Sequence, residues 1–499
     1  MNRIDTSSLW LPVLSGVLLL LTLPYVGFWP FVWIALVPLF LFATNKDISR
    51  SRLALGTLIF GIIYAIGVIY PLTRVTGWWW TSSTPDPAEF ARQIKFVFFV
   101  LLAGCWGALY FLPLTFFIRS WGKRMWGPLA VALVWVLVEW LRSSFALFGY
   151  SWGAVGYTLL DTAYLKHIAA IPLPVGGVYA LSFLVVFANA VLADLIRVGI
   201  HLPAMVGRHK IISALHACID GGRRHLSFWI FLVCFVSAIW CGIWAEYSPR
   251  SLPHPVRVAV LSSELTTQDI VGEGGYRKFR QQLLVALESG ALVVVLPENA
   301  FPFFEINEES STLYKNSYVQ FAGRDELYAD FLAITRTYPS AEVIVGLHTV
   351  ASGARYNSLV QYQNGIIQTY YHKRKLVPFV EYSPLWFRIP IFERLTRGEK
   401  EQFFSVAGLR ASALMCSEVG DATILTRGAE LIISPSNDSV FVGRASALMH
   451  HQMARMRALE AGAYMLRSAK GGISSIIGPD GNVITKTEGV SGVLTADLR

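Results

Sequence analysis

Glu298, Lys373 and Cys416 are the residues whose types and order could carry out covalent chemistry in this chain. Cys416 stands in Leu414-Met415-Cys416-Ser417-Glu418 after an apolar run, and no other cysteine lies in the C-terminal half. A thiol attacks well only when a neighbouring base takes its proton and a positive group meets the oxyanion that forms. Glu298, in Leu296-Pro297-Glu298-Asn299-Ala300, supplies a carboxylate for the first task, and Lys373, in Tyr371-His372-Lys373, an ammonium for the second. A base, an oxyanion partner and a nucleophile together imply acyl chemistry through a thioester.

The elements that must position these groups are legible as alternating strands and helices. Apolar, β-branched runs predict strands over 256–261, 292–296, 343–347, 411–416 and 431–433. The runs 357–362 and 365–371 flank Gln363-Asn364-Gly365, whose Asn-Gly step predicts a hairpin. Helical periodicity falls near 275–288, 325–338 and 445–461, so the pattern predicts a layered α/β domain. Glu298 and Cys416 both follow apolar strands, where such sheets present chemistry. Lys373 leaves a hairpin strand into a loop containing Pro378, and Glu381 follows it.

The first half of the chain has a different character. With 54% hydrophobic residues in 499, the apolar excess is concentrated before about residue 246. Seven membrane spans are expected, at roughly 9–24, 28–43, 53–72, 95–118, 127–147, 171–196 and 225–245. The first reads as a retained span rather than a removed signal. The domain division is therefore 1–250 for the membrane part and 251–499 for the α/β part. Placing the N-terminus inside puts 12 basic residues on inside segments, including Lys46, Arg50, Arg119 and Arg124, and 5 on outside ones, including Arg142. That asymmetry is the positive-inside pattern, and an odd number of spans delivers the C-terminal domain to the outer face, the periplasm of a Gram-negative cell. The net charge of +9 is thereby explained by topology, and no nucleic-acid motif accompanies it.

Cys105, Cys218, Cys234 and Cys241 show no metal-ligand spacing and read as buried or loop residues. An exported thiol without a partner in its own domain, such as Cys416, is more often kept for chemistry. Within the fifth span, Glu139 and Arg142 are three residues apart and share a helix face, which makes them a possible membrane-half site or an ion pair near the helix end. The aromatic stretches Phe148 to Gly153 and Gly77 to Trp80 read as interfacial loops.

Several strings in this chain, taken together, resemble the apolipoprotein N-acyltransferase family, the membrane branch of the nitrilase or carbon-nitrogen hydrolase superfamily. They are Leu296 to Pro302, Tyr371 to Pro384, Met415 to Glu418, Pro435 to Asp438, Gln452 to Glu460 and Glu139 to Arg142. The resemblance implies an αββα-sandwich catalytic domain on a multi-span α-helical membrane bundle, held in the inner membrane with the catalytic domain in the periplasm. It implies transfer of an acyl chain from a phospholipid donor to the N-terminal amine of a diacylglyceryl-cysteine lipoprotein acceptor, without a metal or organic cofactor. Glu298 would be the base, Lys373 the oxyanion partner and Cys416 the nucleophile, with Glu381 and Glu418 as supporting carboxylates.

The chain departs from the family pattern at Leu296, Val380 and Ser417, where that pattern has Trp, Gly and Tyr. The family pattern also ends in a further span, so a catalytic domain tethered at one end is expected here. These departures leave two other readings. One is a divergent nitrilase-like paralogue, an acyltransferase or amide hydrolase with another substrate, such as those linked to conjugal transfer. The other is a non-catalytic membrane scaffold.

Overall fold

The structure is a computed structural model. It describes residues 5–69, 105, 108–122, 124, 126–144, 152–161, 172–201, 233, 237, 252–264, 273–315, 317, 323–377, 381–382, 395–399, 403–421, 424, 426–440 and 444–499. These residues fall into two compact units, one helical and N-terminal, the other α/β and C-terminal.

The N-terminal unit contains α1 (Trp10–Leu21), α2 (Val37–Thr44), α3 (Arg50–Ile69), α4 (Phe111–Trp121), α5 (Gly127–Ser144) and α6 (Pro172–His201). Helix α3 and the Gly176–Arg197 part of α6 are long and apolar enough to cross a bilayer. The expected span 28–43 is not one helix. Gly27 has φ 87, a 3-10 turn covers Trp29–Trp33, and α2 begins only at Val37 with Pro38 in its first turn. Prolines at the start of each piece remove donors and interrupt the helical ladder. At 12 residues, α1 is also shorter than the expected span 9–24, reaching roughly 18 Å. The expected span 225–245 apart from 233 and 237, half of 95–118 and the Gly77 to Trp80 stretch lie outside the described residues.

Broken backbone in apolar surroundings needs partners. Asn189 of α6 supplies them at the 28–43 break, accepting from Leu36 N–H at 2.9 Å and donating to Val32 C=O at 2.8 Å. A second irregular segment, 152–159, is buried, and of the expected interfacial loop 148–153 only Trp152 and Gly153 are described. Glu139 and Arg142 of α5 both hold it and do not pair with each other. Glu139 Oε1 accepts from Val155 N–H and from Trp135 Nε1–H, each at 2.9 Å. Arg142 donates to Gly153 C=O at 2.8 Å, beside a 2.6 Å bond to the same carbonyl from Tyr64 of α3. The Glu139–Arg142 pair is thus a brace for the buried turn.

In the C-terminal unit one sheet joins β1 (Val256–Ser262), β2 (Val293–Val295), β3 (Glu305–Asn307), β4 (Thr312–Leu313), β5 (Glu342–Ala351), β6 (Ala354–Gln363), β7 (Ile366–His372) and β14 (Gly492–Leu498). The other joins β8 (Phe404–Val406), β9 (Leu409–Ala413), β10 (Leu431–Asn437), β11 (Tyr464–Lys470), β12 (Ile473–Ile477) and β13 (Val483–Glu488). Helices α7 (Glu273–Glu288) and α8 (Arg324–Thr337) accompany the first sheet, and α9 (Arg444–Ala461) the second.

Side-chain alternation builds the layers. In β1, Ala259 and Leu261 join Phe279 and Leu283 of α7 in one core. Val256, Val258 and Val260 face the other way, into a core shared with Ala411, Ile433, Leu466 and Ile476 of the second sheet. Both faces of β1 are therefore apolar, and the result is the expected αββα sandwich. Asn364 (φ 51) and Gly365 (φ 72) turn the expected hairpin between β6 and β7.

The topology leaves a deliberate gap beside β5. Its first residues pair with β2 (Glu342 to Ile344) and its last with β3 (His348 to Val350), so Val345 to Leu347 face the chain that leaves β2. That chain is the Pro297-Glu298-Asn299 turn, held by Leu296 N–H to Ile344 C=O at 2.8 Å and Ala300 N–H to Gly346 C=O at 3.2 Å. A Cβ on Gly346 would stand 2.5 Å from Glu298 Cα, so only glycine admits the turn. Gly346→Ala is expected to push the turn outward at a cost of roughly 1–3 kcal/mol. It should lower Tm and reduce thiol reactivity at Cys416 together, measured by thermal unfolding and by the rate of alkylation.

Candidate active site

Each chemical group sits where regular structure ends. Glu298 lies in the turn after β2, Lys373 directly follows β7, and Cys416 opens a 3-10 turn, Cys416–Gly420, after β9. The strand expected to run to Cys416 stops at Ala413, because Cys416 has a left-handed backbone with φ 45. A non-glycine residue held there stores roughly 1–3 kcal/mol and needs fixed neighbours.

Lys373 is the centre of the arrangement. Its ammonium, 1% exposed, donates to Glu381 Oε1 at 2.9 Å and to Glu298 Oε1 at 3.1 Å. Asn357 of β6 reaches the same two oxygens, donating at 2.8 Å to Glu298 and 2.7 Å to Glu381. The remaining oxygens are met by backbone N–H groups, Asn437 for Glu298 at 2.9 Å and Val377 for Glu381 at 2.6 Å. Burial works against a charged lysine, but Glu298 and Glu381 outweigh it and hold the ammonium well above the usual lysine range. Burial likewise opposes the Glu298 carboxylate, yet Lys373, Asn357 and the neighbouring Cys416 thiol bring it below the usual range. Burial and the Glu298 charge push the Cys416 thiol up, with Lys373 only partly offsetting them. The resting site is therefore a neutral thiol beside an ionised carboxylate, with an ammonium fixed between.

Glu418 does different work from Glu381. Its Oε1 accepts from Arg374 N–H at 2.6 Å and Lys375 N–H at 3.2 Å, and its Oε2 from Met415 N–H at 2.8 Å and Tyr371 Oη–H at 2.9 Å. It ties the segment that carries Lys373 to the one that carries Cys416. Ser417 adds a 3.0 Å bond to Lys375 C=O across the same seam.

Sequence reasoning missed four polar residues packed behind these groups, besides Asn357. His450 of α9 is buried, with Nε2 2.8 Å from Cys416 C=O and Nδ1 2.8 Å from Asp438 Oδ1. Arg467 of β11 donates to Asp438 Oδ2 at 2.8 Å. Burial disfavours the Asp438 carboxylate, but His450 and Arg467 hold its carboxyl well below the usual range. Lys470, at the end of β11, is buried and donates to Asn299 C=O at 3.2 Å. Its burial pulls the amine down to about 7 against the opposing pull of Glu298. The signal available in the sequence was periodicity: His450, Arg467 and Lys470 occupy positions on a helix and a strand that are otherwise buried. Cys416, Asp438 and His450 bring ligand-type atoms within 4.8 Å of one another. Both imidazole nitrogens are, however, already engaged within the protein, Nδ1 by Asp438 at 2.8 Å and Arg467 Nη2 at 3.1 Å, and Nε2 by the Cys416 carbonyl at 2.8 Å.

A family model described as carbon-nitrogen hydrolase matches residues 256–499, and one described as the apolipoprotein N-acyltransferase N-terminal domain matches 15–191. The apolipoprotein N-acyltransferase of Azotobacter vinelandii is 30% identical over 415 residues, covering 77% of this chain and 71% of that protein. The chain belongs to the apolipoprotein N-acyltransferase family. The Nitrosomonas europaea member is 28% identical over 383 residues, 72% of this chain and 66% of its own length, so that match spans just under two thirds of the relative. Among solved structures, a Nesterenkonia AN1 amidase from the nitrilase superfamily covers 49% of this chain and 90% of its own, with 19% identity and a TM-score of 0.37. Of the departures from the family pattern, Leu296 is fully buried in the core against α7 and α8, and Ser417 is absorbed by its bond to Lys375. Val380 lies outside the described residues.

His450→Ala removes the donor on the strained Cys416 carbonyl and leaves that buried acceptor unpaired, at roughly 1–3 kcal/mol. The expected result is about a tenfold or greater loss in the alkylation rate of Cys416 at neutral pH. The comparison variant His451→Ala, at the next position about 100° around the helix and bonded instead to Ser475, should leave that rate near the wild-type value.

Proposed function

We propose that this protein is an acyltransferase that moves an acyl chain from a phospholipid to the N-terminal amine of a diacylglyceryl-cysteine lipoprotein. The observation that carries the reading is the buried Glu298–Lys373–Glu381 cluster beside Cys416 in a chain of this family. Glu298, Lys373 and Cys416 are the catalytic residues of the proposal. Glu381 keeps Lys373 charged and in place, and Glu418 braces the two segments.

The steps balance on these groups alone. Cys416 Sγ attacks the ester carbonyl as Glu298 takes the thiol proton. The oxyanion that forms is met by the Lys373 ammonium, which is already oriented and desolvated. As Glu298 is neutralised the oxyanion restores the lost negative charge, so the cluster keeps its net charge through the attack. Collapse breaks the carbonyl–oxygen bond, the departing alkoxide takes the proton from Glu298, and lysophospholipid leaves a thioester on Cys416. The acceptor amine then attacks, passes a proton to Glu298, and the thiolate recovers it on leaving as the amide forms. Neither step calls for a metal or an organic cofactor.

The wider setting belongs to the same proposal. Seven spans in the inner membrane, with the catalytic domain in the periplasm, agree with the charge asymmetry of the loops. Membrane lipids would then be both solvent and donor, and the lipid surroundings would keep water from the thioester.

Incubating detergent-purified protein with phospholipid, then measuring intact mass, tests the reading. An added acyl mass is expected on the wild type, released by hydroxylamine, discharged by a diacylglyceryl lipopeptide and absent from Cys416→Ala. Glu298→Gln should slow its appearance by roughly 10²–10⁴. Hydrolysis of small amides without any lipid-derived adduct would instead favour an amide hydrolase.

A further inference from the structure

An open cavity of about 460 Å³ in the helical unit is lined by Lys46, Arg50, Phe116, Arg119 and Ser120. Its chemistry is one-sided: three cations line it, and among the described residues no carboxylate does. Lys46 and Arg50 form no ion pair among the described residues. Arg119 Nη2 donates to Lys46 C=O at 3.0 Å, which ties the guanidinium at the end of α4 to the loop between α2 and α3. Its Nη1 is shielded from solvent and has no hydrogen-bond partner among the described residues. A shielded guanidinium nitrogen without an acceptor is costly unless an anion completes it.

The surroundings say what kind of anion. Helices α3 and α4 are clamped together, with Thr57 Oγ1 bonded to Thr115 Oγ1 at 2.8 Å and a Cβ on Gly61 only 2.7 Å from Ala108. From the cavity, Phe116, Pro113, Leu109 and Cys105 form an exposed apolar stripe at helical spacing. At the cavity end, Trp121 and Trp126 are exposed, and Arg124 lies 4.1 Å over the Trp121 ring. Exposed tryptophans next to basic residues mark the headgroup level of a bilayer. A basic cavity at that level, continued by an apolar stripe, is complementary to a phosphate that carries acyl chains.

We propose that this cavity is a binding site for an anionic phospholipid, held by its phosphodiester on Lys46, Arg50 and Arg119 with its chains along α4. The site offers three cations and, among the described residues lining it, no carboxylate for an ammonium, so a headgroup of net negative charge fits and a zwitterionic one leaves the cations under-neutralised. All three cations belong to segments that charge asymmetry assigns to the inside, so the lipid would come from the inner leaflet. This site is built without any residue of the α/β unit and stands whether or not the acyl-transfer reading does.

Native mass spectrometry on the full chain, released from nanodiscs of equal phosphatidylglycerol and phosphatidylethanolamine, tests it. One phosphatidylglycerol retained in preference is expected, with the preference falling at least tenfold in Arg50→Gln/Arg119→Gln. Should that double variant fail to fold by thermal unfolding, Lys46→Gln gives the same comparison with a smaller fall. Equal retention of both lipids by the wild type, or an unchanged preference in the folded variants, overturns the site. Displacement of the lipid by inorganic phosphate at equimolar concentration would also overturn it, since the cavity would then be a soluble-anion site.

Discussion

A lysine ammonium shut away from water between two carboxylates is the constraint on which the catalytic unit is built. Left alone, the Lys373 charge would be prohibitively expensive at 1% exposure, and only its pairing with Glu298 and Glu381 compensates it. Glu298 and Glu381 share the ammonium through one oxygen each. Asn357 must bridge them, and the backbone N–H groups of Asn437 and Val377 must meet their outer oxygens. The same economy prepares the chemistry. In the proposed reaction Glu298 would act as the base beside the cation it neutralises, and that cation would meet the oxyanion.

The fold gathers these groups from distant parts of the chain because each lies at the end of a strand or in the turn after one. The gap between β2 and β3 along β5 admits the Glu298 turn only because Gly346 lacks a side chain. The β6–β7 hairpin brings Asn357 and Lys373 together, through the bond from Lys373 N–H to Asn357 C=O at 2.8 Å. The second sheet contributes Cys416, Asn437 and Lys470, and α9 closes the back of the site with His450. Glu418 locks the two sheets' contributions into one geometry. A similar logic runs through the helical unit, where Asn189, Glu139 and Arg142 satisfy broken backbone so that irregular segments can be buried.

How much of this could be read beforehand depends on whether local order or tertiary packing decides the feature. Strands and helices of the α/β unit follow from side-chain periodicity, and the Asn364-Gly365 turn follows from its dipeptide. Glu298, Lys373 and Cys416 announced themselves by residue type in distinctive strings. Asn357 did not, because an asparagine in a strand looks like any polar edge residue until Lys373 is seen beside it. His450 and Lys470 were hidden for the same reason: their roles come from Cys416 and Asn299, residues 34 and 171 positions away. The break within the expected span 28–43 was not read because hydropathy outweighs the two prolines in a window average, whereas backbone geometry obeys the prolines. Spacing left Glu139 and Arg142 as a possible site or an ion pair, and the buried turn that is hydrogen-bonded to each could not be read from the sequence.

The most direct test of the account is the pH dependence of thioester formation on Cys416, compared between the wild type and Lys373→Met. Glu298 is held down chiefly against burial by Lys373, so its base form persists to low pH in the wild type. Without the cation, burial dominates, the carboxyl rises, and the base form is lost at higher pH. The account predicts that the acidic limb of the Lys373→Met profile moves to higher pH, on top of a plateau lowered by roughly 10²–10³ from the missing oxyanion partner. A lowered plateau with the acidic limb unmoved would contradict it, because the state of Glu298 would then be set by something other than the buried lysine.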